Sequence, residues 1–384
     1  MFQIIDKKNI AIICNTPMFV RVFLVHQIDS LSKLYNVSIF TNMQDNPNLL
    51  DIISDEVNII NIPIRREINL FYDLYVLFLL TILLRRKKYS LVHSANPKAG
   101  LLTAIAAWIS GIPNRLHTFT GQAWVTEKGI KRWILRLLDR LISILNSQIL
   151  VDSNSQKEFL VKEGVLKKDN ALVLGNGSIS GVNLRRFKPS KQARTDIRKK
   201  LNIPNHSVVF LFVGRLKKEK GVFELVKAFK NISRTNDNVF LLIVGPDENK
   251  LTNELTKILD SSLKYTKFIG LTKTPEIYMM ASDIFVMPSY REGFGTSTIE
   301  AASCGIPAIG SNIYGLSDSI KDGETGVLVN VYSEKDLEKA MKKLLDNDIL
   351  RIEMGNKAFI NASENFSQDK LTLLLIHLYQ RIIL

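Results

Sequence analysis

An α/β architecture in two units, each a parallel sheet wound with helices, follows from three features of this 384-residue chain. The length exceeds the roughly 250 to 300 residues at which a single core stops growing, so two cores are expected. Short apolar runs alternate with longer helix-like stretches from end to end, as in sheets covered on both faces rather than in bundles or sandwiches. The alternation breaks at Gly175-Asn176-Gly177-Ser178-Ile179-Ser180-Gly181-Val182-Asn183, a run of turn residues ahead of Arg185-Arg186-Phe187-Lys188-Pro189.

In chain order, the first unit has strand-like runs over 10–14, 37–41, 57–62, 91–93, 115–118, 149–152 and 172–174. The second has them over 208–213, 239–244, 266–270, 284–288, 308–310 and 327–329. Each set suffices for one Rossmann-like sheet. No short repeat and no low-complexity tract interrupts either unit.

The densest cluster of chemistry is Arg291-Glu292-Gly293-Phe294-Gly295-Thr296-Ser297-Thr298-Ile299-Glu300-Ala301-Ala302-Ser303, in which two glutamates have seven residues between them. The apolar run before it reads as a buried strand and the run after it as a helix, so Glu292 falls in a loop at the carboxyl end of a strand. Gly293 and Gly295 allow the backbone to approach a ligand closely. The helix start beyond them offers amide N–H groups and partial positive charge, which suit a phosphate. Glu300, a turn or two inside the helix, could accept hydrogen bonds from sugar hydroxyls beside that phosphate. A nucleotide sugar presents both groups together.

A second cluster points to the same ligand. The strand over 208–213 runs into Gly214-Arg215-Leu216-Lys217-Lys218-Glu219-Lys220-Gly221 and then a helical stretch, putting Arg215 and Lys220 at a strand-to-helix turn where open parallel sheets bind ligands. A guanidinium fork and an ammonium at that mouth could grip a diphosphate. Taken singly, each cluster is equally a solvated helix start; the pair, both after apolar strands of one unit, carries the reading.

These residues resemble the retaining glycosyltransferases of family 4, whose GT-B fold sets two Rossmann-like domains facing across a cleft. The likeness covers nearly the whole chain and is strongest over 208–329, where Gly-Arg-x4-Lys-Gly, the paired glutamates, Cys304-Gly305-Ile306-Pro307 and Asp322-Gly323-Glu324-Thr325-Gly326 occur in the family's order. The resemblance implies that Arg215 and Lys220 bind the donor diphosphate and that Glu300 holds the ribose. It implies contact of Glu292 and the turn Gly293, Phe294, Gly295 and Thr296 with the transferred sugar, and of Leu271 with the base. Arg115-Leu116-His117-Thr118-Phe119-Thr120-Gly121 is similar to the family's strand-end histidine segment, which makes His117 a candidate to face donor sugar and acceptor. His93, ending the run over 91–93, competes for that role. The family's plan implies an acceptor-binding domain over 1–183, a nucleotide-sugar domain over 184–366, and a helix over 367–384 crossing back to the first. The hinge would let the cleft close and exclude water, which protects an activated sugar from hydrolysis.

The reaction so implied is transfer of a sugar from a nucleoside diphosphate donor, a UDP-sugar by resemblance, to an acceptor hydroxyl with the anomeric configuration kept. No Asp-x-Asp accompanies the motifs, so neither a metal nor a cofactor is expected, and two cations take that place. His117 to Trp124 is similar to bacterial surface-polysaccharide transferases, which implies a lipid-linked saccharide acceptor in capsule or O-antigen synthesis. A nucleotide-sugar epimerase of the same fold is the alternative.

Two isolated cysteines make no disulfide framework and no zinc spacing, and the first eight residues lack the apolar core of a signal peptide, so cytoplasmic residence is expected. The formal charge of +14 draws the chain to anionic surfaces, and more than half of that excess lies in the first 185 residues. Lys128, Arg132, Arg136 and Arg140 recur every four residues among Trp133, Ile134, Leu137, Leu138, Leu141 and Ile142, so one helix shows a basic stripe beside an apolar face. It can lie on the inner face of the cell membrane as an interfacial helix, or pack that apolar face on the sheet and leave its cations solvated. The run over 69–84, ended by Arg85-Arg86-Lys87-Lys88, is a second candidate for membrane contact but too short between charges to span. No helix-turn-helix, zinc spacing or aromatic-basic sheet pattern supports nucleic-acid binding.

Overall fold

A computed structural model describes residues 7–44, 51–65 and 67–384. The chain forms two compact units, Met1–Ser180 with Gln368–Leu384, and Gly181–Ser367.

Unit 1 is built on seven strands: β1 Asn9–Ile13, β2 Asn36–Thr41, β3 Asn58–Asn61, β4 Leu91–Ala95, β5 Arg115–Phe119, β6 Gln148–Val151 and β7 Ala171–Val173. They lie in the order β3-β2-β1-β4-β5-β6-β7, every pair parallel. The order reverses direction beside β1, as in doubly wound dinucleotide-binding sheets. The helices are α1 Pro17–Phe19, α2 Val25–Ser32, α3 Leu70–Arg86, α4 Pro97–Ile109, α5 Gly129–Leu145 and α6 Asn154–Lys162. Alternate strand residues feed the two faces: Ile10, Ile12, Val37 and Ile39 pack with α2, whereas Ala11, Ile13 and Val92 pack under α3 and α4. Both faces are therefore apolar, which is why these strands read as continuous runs. Asn69 and Ser153 cap α3 and α6 by accepting from the amides of Tyr72 and Gln156.

Unit 2 has six strands, β8 Val208–Val213, β9 Val239–Val244, β10 Thr266–Gly270, β11 Ile284–Met287, β12 Ala308–Ser311 and β13 Gly326–Val329, in the parallel order β10-β9-β8-β11-β12-β13. Around it lie α7 Lys191–Lys200, α8 Val222–Ser233, α9 Thr252–Leu259, α10 Pro275–Met280, α11 Thr296–Ser303, α12 Leu316–Ser319, α13 Glu334–Leu345 and α14 Asp348–Asn365. Its one fully buried cation, Arg198 on α7, is matched by Asp283, whose other oxygen takes Arg194 at 2.7 Å. The cysteines stand free and buried, and burial pushes the Cys14 thiol up to about 12.

Strand ends agree with the sequence reading to within a residue or two. The unit boundary falls earlier than 183, because the Val182 amide donates to Phe366 O at 2.7 Å and bridges to Ser367, which ties the entering chain to the departing one inside unit 2. The last helix, α15 Gln368–Ile383, then belongs to unit 1, where Leu375, Leu378 and Tyr379 enter the core beside α2. Its Tyr379 hydroxyl meets His93 Nδ1 at 2.6 Å. Among the described residues no helix is long and apolar enough to cross a membrane.

Tyr379→Phe removes the Nδ1 partner of the largely buried His93 imidazole and is expected to cost about 1 to 2 kcal/mol, a fall of a few degrees in Tm read by circular dichroism. An unchanged Tm would show that the bond does not hold α15 in place.

Candidate active site

In unit 2 the strand order turns at β8, with β9 on one side and β11 on the other, so the loops leaving β8 and β11 adjoin at the carboxyl edge of the sheet. Open parallel sheets bind ligands at such a point. The β8 loop closes in a 3-10 turn, Lys218–Lys220, and reverses at Gly221, whose φ of 68° is left-handed. Space as well as angle requires glycine here, since a Cβ would lie 2.0 Å from Pro288 O in the β11 loop. The two loops are strapped further: the Tyr290 amide donates to Glu219 O at 2.9 Å, Arg291 donates to the Glu219 carboxylate at 3.1 Å, and the Tyr290 hydroxyl donates to Glu224 at 2.7 Å.

This packing brings two of the sequence candidates into contact, Lys220 Nζ lying 2.5 Å from Glu292 Oε1 with both side chains more than four-fifths buried. Gly295, with φ 80°, begins α11 with no side-chain cap, so the first turn's amides and the positive end of the helix are left to another acceptor. Thr296 opens the helix and Glu300 sits one turn in. Glu300 keeps some exposed surface but is closely ringed by protein, and desolvation pushes its carboxyl up to about 8 against the pull of Arg186 and with the push of Glu276. Arg186 is itself bound to Glu276 at 2.7 Å. Arg215 stands at the same edge, 3.7 Å from Glu248, which also holds Lys217 at 3.0 Å.

Several placements could not be read from the chain. Glu248, in the loop after β9, neighbours Arg215 only because β8 and β9 pair. Arg186 and Glu276 flank Glu300 from the stretch after the unit boundary and from the start of α10. Phe294 is a correction: its ring is 2% exposed and packs against Phe366, so this residue can offer a ligand only its backbone. Leu271, just beyond β10, is exposed. One Asp-x-Asp does occur, Asp346-Asn347-Asp348, at the start of α14, where Asn347 caps the helix and Asp348 pairs with Arg351. It serves that helix end and not the β8–β11 edge.

In unit 1 the histidine expectation also changes. His117 is 1% exposed in β5, its ring directly against Gly100 of α4 and edge-on to Phe119, with Nδ1 2.9 Å from Ser94 Oγ. Burial, with His93 nearby, holds its pKa at about 3, and burial does the same for His93, whose nitrogens meet Tyr379 and Thr118. Both rings are neutral; His117 is enclosed, whereas His93 keeps some exposed surface and lines a cavity with Asp152 and Tyr379. Of the four cations on α5, Arg132 and Arg136 each bind Glu163 at 3.0 Å, Lys128 sits at the helix start and Arg140 is exposed.

The family model for glycosyl transferases group 1 matches residues 193–360, and that for the glycosyl transferase 4-like domain matches residues 20–177. The capsular polysaccharide biosynthesis glycosyltransferase CapM of Staphylococcus aureus is 31% identical over 80% of this chain and 81% of its own length. UDP-Gal:alpha-D-GlcNAc-diphosphoundecaprenol alpha-1,3-galactosyltransferase of Escherichia coli is also 31% identical, over 80% of each. Sucrose-phosphate synthase of Thermosynechococcus elongatus superposes with a TM-score of 0.82 at 22% identity, covering 98% of this chain and 99% of that one. The chain belongs to the group 1 glycosyl transferases and has their GT-B fold of two Rossmann-like domains.

The raised pKa of Glu300 fixes a pH dependence. The fold favours the protonated carboxyl, so its contribution is full below the ordinary 4.5 and is lost as pH rises toward about 8. Glu300→Gln, uncharged throughout, is expected to match the parent protein's Tm at pH 5 and to exceed it by several degrees at pH 9. Equal melting at pH 9 would mean that the carboxyl is well solvated.

Proposed function

We propose that this glycosyltransferase moves a sugar from a UDP-sugar to a saccharide carried on a lipid diphosphate, with retention at the anomeric carbon and without a divalent metal, in capsule or O-antigen synthesis at the inner face of the cell membrane. The observation that carries the donor side is the convergence of Lys220, Glu292, Arg215 and the start of α11 on one edge of unit 2. Three charged groups and a helix start at a strand switch point suit a diphosphate with a sugar on one end and a ribose on the other. The lipid-linked acceptor and the uridine donor are supported by the E. coli galactosyltransferase, whose name specifies both.

On this reading Arg215 and Lys220 bind the diphosphate oxygens. An ammonium has three donors, so Lys220 can keep Glu292 while it takes a phosphate oxygen. As the bond from anomeric carbon to diphosphate breaks, negative charge grows on the leaving oxygens and positive character on the ring. Preorganised cations and the α11 amides stabilise the former, a contribution of several kcal/mol at such sites. Glu292, beside the turn Gly293 to Thr296, faces the sugar and Glu300 the ribose. The acceptor hydroxyl forms the new bond on the face the diphosphate leaves, and its proton passes to a departing phosphate oxygen. His117, enclosed beneath the end of β5, takes no part in this scheme.

Lys220→Ala is expected to weaken UDP binding about 30-fold or more by calorimetry, equivalent to roughly 2 kcal/mol for a charge-assisted contact. The Tm without nucleotide serves as the folding control, and unaltered affinity with a normal Tm would move the diphosphate elsewhere. The metal-free reading expects full turnover in excess chelator; loss of activity restored by magnesium or manganese would refute it. Product stereochemistry by NMR decides retention.

A further inference from the structure

An ordinary surface helix buries its apolar stripe against the sheet and shows its charges to water, whereas α5 leaves most of its apolar arc outside. Ile130, Trp133, Ile134, Leu137, Leu141 and Ile144 each have another of the set three or four residues away and so form a single stripe over four turns. All six are exposed, Ile130 by 76% and Ile144 by 68%. What α5 buries instead is Ile142 and an acid, Asp139, which accepts from Trp124 Nε1 at 2.7 Å. Its inward flank is held by Arg132 and Arg136 on Glu163, with the Arg132 guanidinium 5.0 Å over the Trp124 ring. Half-buried Leu135 packs on the same core as Ile142, so the docked face is mixed and the broad apolar stripe stays outside.

The neighbouring helices continue the pattern. On α3, Phe71, Leu74, Tyr75 and Phe78 share one face and are exposed, Phe71 by 85%. The acid of that helix, Asp73, is turned away to Lys98 at 2.6 Å. Helix α4 packs between α3 and α5 and ends in exposed Trp108 and Ile109, where Arg85 of α3 donates to Ile109 O at 2.9 Å. These twelve exposed large apolar residues on three adjacent helices are more than the scattered exposed side chains of a solvated protein. Cations border it: Arg85, Arg86 and Lys88 at the end of α3, and Arg140 on the flank of the α5 stripe.

We infer that the outer face of α3, α4 and α5 seats on a lipid bilayer with anionic headgroups. The stripes enter the acyl boundary, aromatic rings among them, while the bordering cations meet lipid phosphates. The arrangement lies on a membrane and does not cross it. A second copy of the chain would cover the apolar stripe equally well but would bring the same cations together, so charge favours an anionic surface. The inference extends the proposed reaction, whose acceptor sits in such a surface, and its test does not depend on donor chemistry.

The experiment is flotation of the full chain with vesicles of phosphatidylcholine alone or with about one-third phosphatidylglycerol. One variant carries Phe71→Ser, Phe78→Ser, Trp133→Ser and Leu137→Ser; another carries Arg86→Gln, Lys88→Gln and Arg140→Gln. The wild type is expected to float with the anionic vesicles, the first variant to lose at least tenfold in partitioning at any salt, and the second to lose several-fold at low salt only. UDP-dependent thermal stabilisation, read in parallel, reports that unit 2 is folded and separates failure of the donor reading from failure of this one. Wild-type protein that stays in the supernatant, or variants that float as well as it does, overturn the inference. So does a wild-type dimer in sedimentation velocity that the first variant dissolves while vesicles are ignored, which would make the face a subunit interface.

Discussion

The contact of the β8 loop with the β11 loop governs the chemistry of unit 2. Parallel strands that adjoin at a point of reversal deliver their following loops to the same place, and there only a glycine at 221 lets the backbone lie against Pro288 O. That approach sets the ammonium of Lys220 on the carboxylate of Glu292. A largely buried pair of this kind contributes little net stability, because desolvation offsets the attraction. Its value is fixity: an ammonium already aimed and partly dehydrated meets an anion without reorganising. The straps through Glu219 and Glu224 hold both loops still, so the geometry belongs to the fold rather than to the ligand.

The strand ends of unit 1 have a different electrostatic character although the strand order is the same. Burial keeps His93 and His117 neutral and raises the Asp152 carboxyl at the end of β6 to about 8. Around neutral pH the two imidazoles are uncharged dipoles held by neutral hydroxyls, His93 by Thr118 and by Tyr379 of α15, and His117 by Ser94. Unit 2 instead presents paired full charges. Two copies of one topology have thus been given unlike interiors at corresponding edges, one polarisable and closed, the other ionic and ready for a phosphate.

The strands, their membership in two units and the two glycine-bearing loops after β8 and β11 were legible because each is a local pattern: an apolar run, a glycine-bearing turn, a helix start. Lys220 and Glu292 could be matched because both loops carry their glycines beside them. What depended on a third element stayed hidden. Glu248 reaches Arg215 through strand pairing, and the depth of His117 is set by Gly100 on another helix. Phe294 sits inside the motif but is claimed by Phe366, far along the chain. In each case the residue type was suggestive and its surroundings decided its role.

Helix α5 shows the same limit most sharply, since periodicity reveals that a helix has two faces and says nothing of which one turns inward. Here a few polar anchors decide it. Asp139 is pushed up to about 7 by burial although Trp124 donates to it, and Glu163 gathers two guanidinium groups. In water such a choice is unfavourable, because each large apolar side chain left outside forgoes about 1.5 to 3 kcal/mol of burial and the acid inside must be desolvated. A helix selected only to stabilise the sheet would have turned more of its apolar arc inward. The orientation becomes the favourable one when the medium outside the helix is itself apolar, as the proposed seating on lipid would make it.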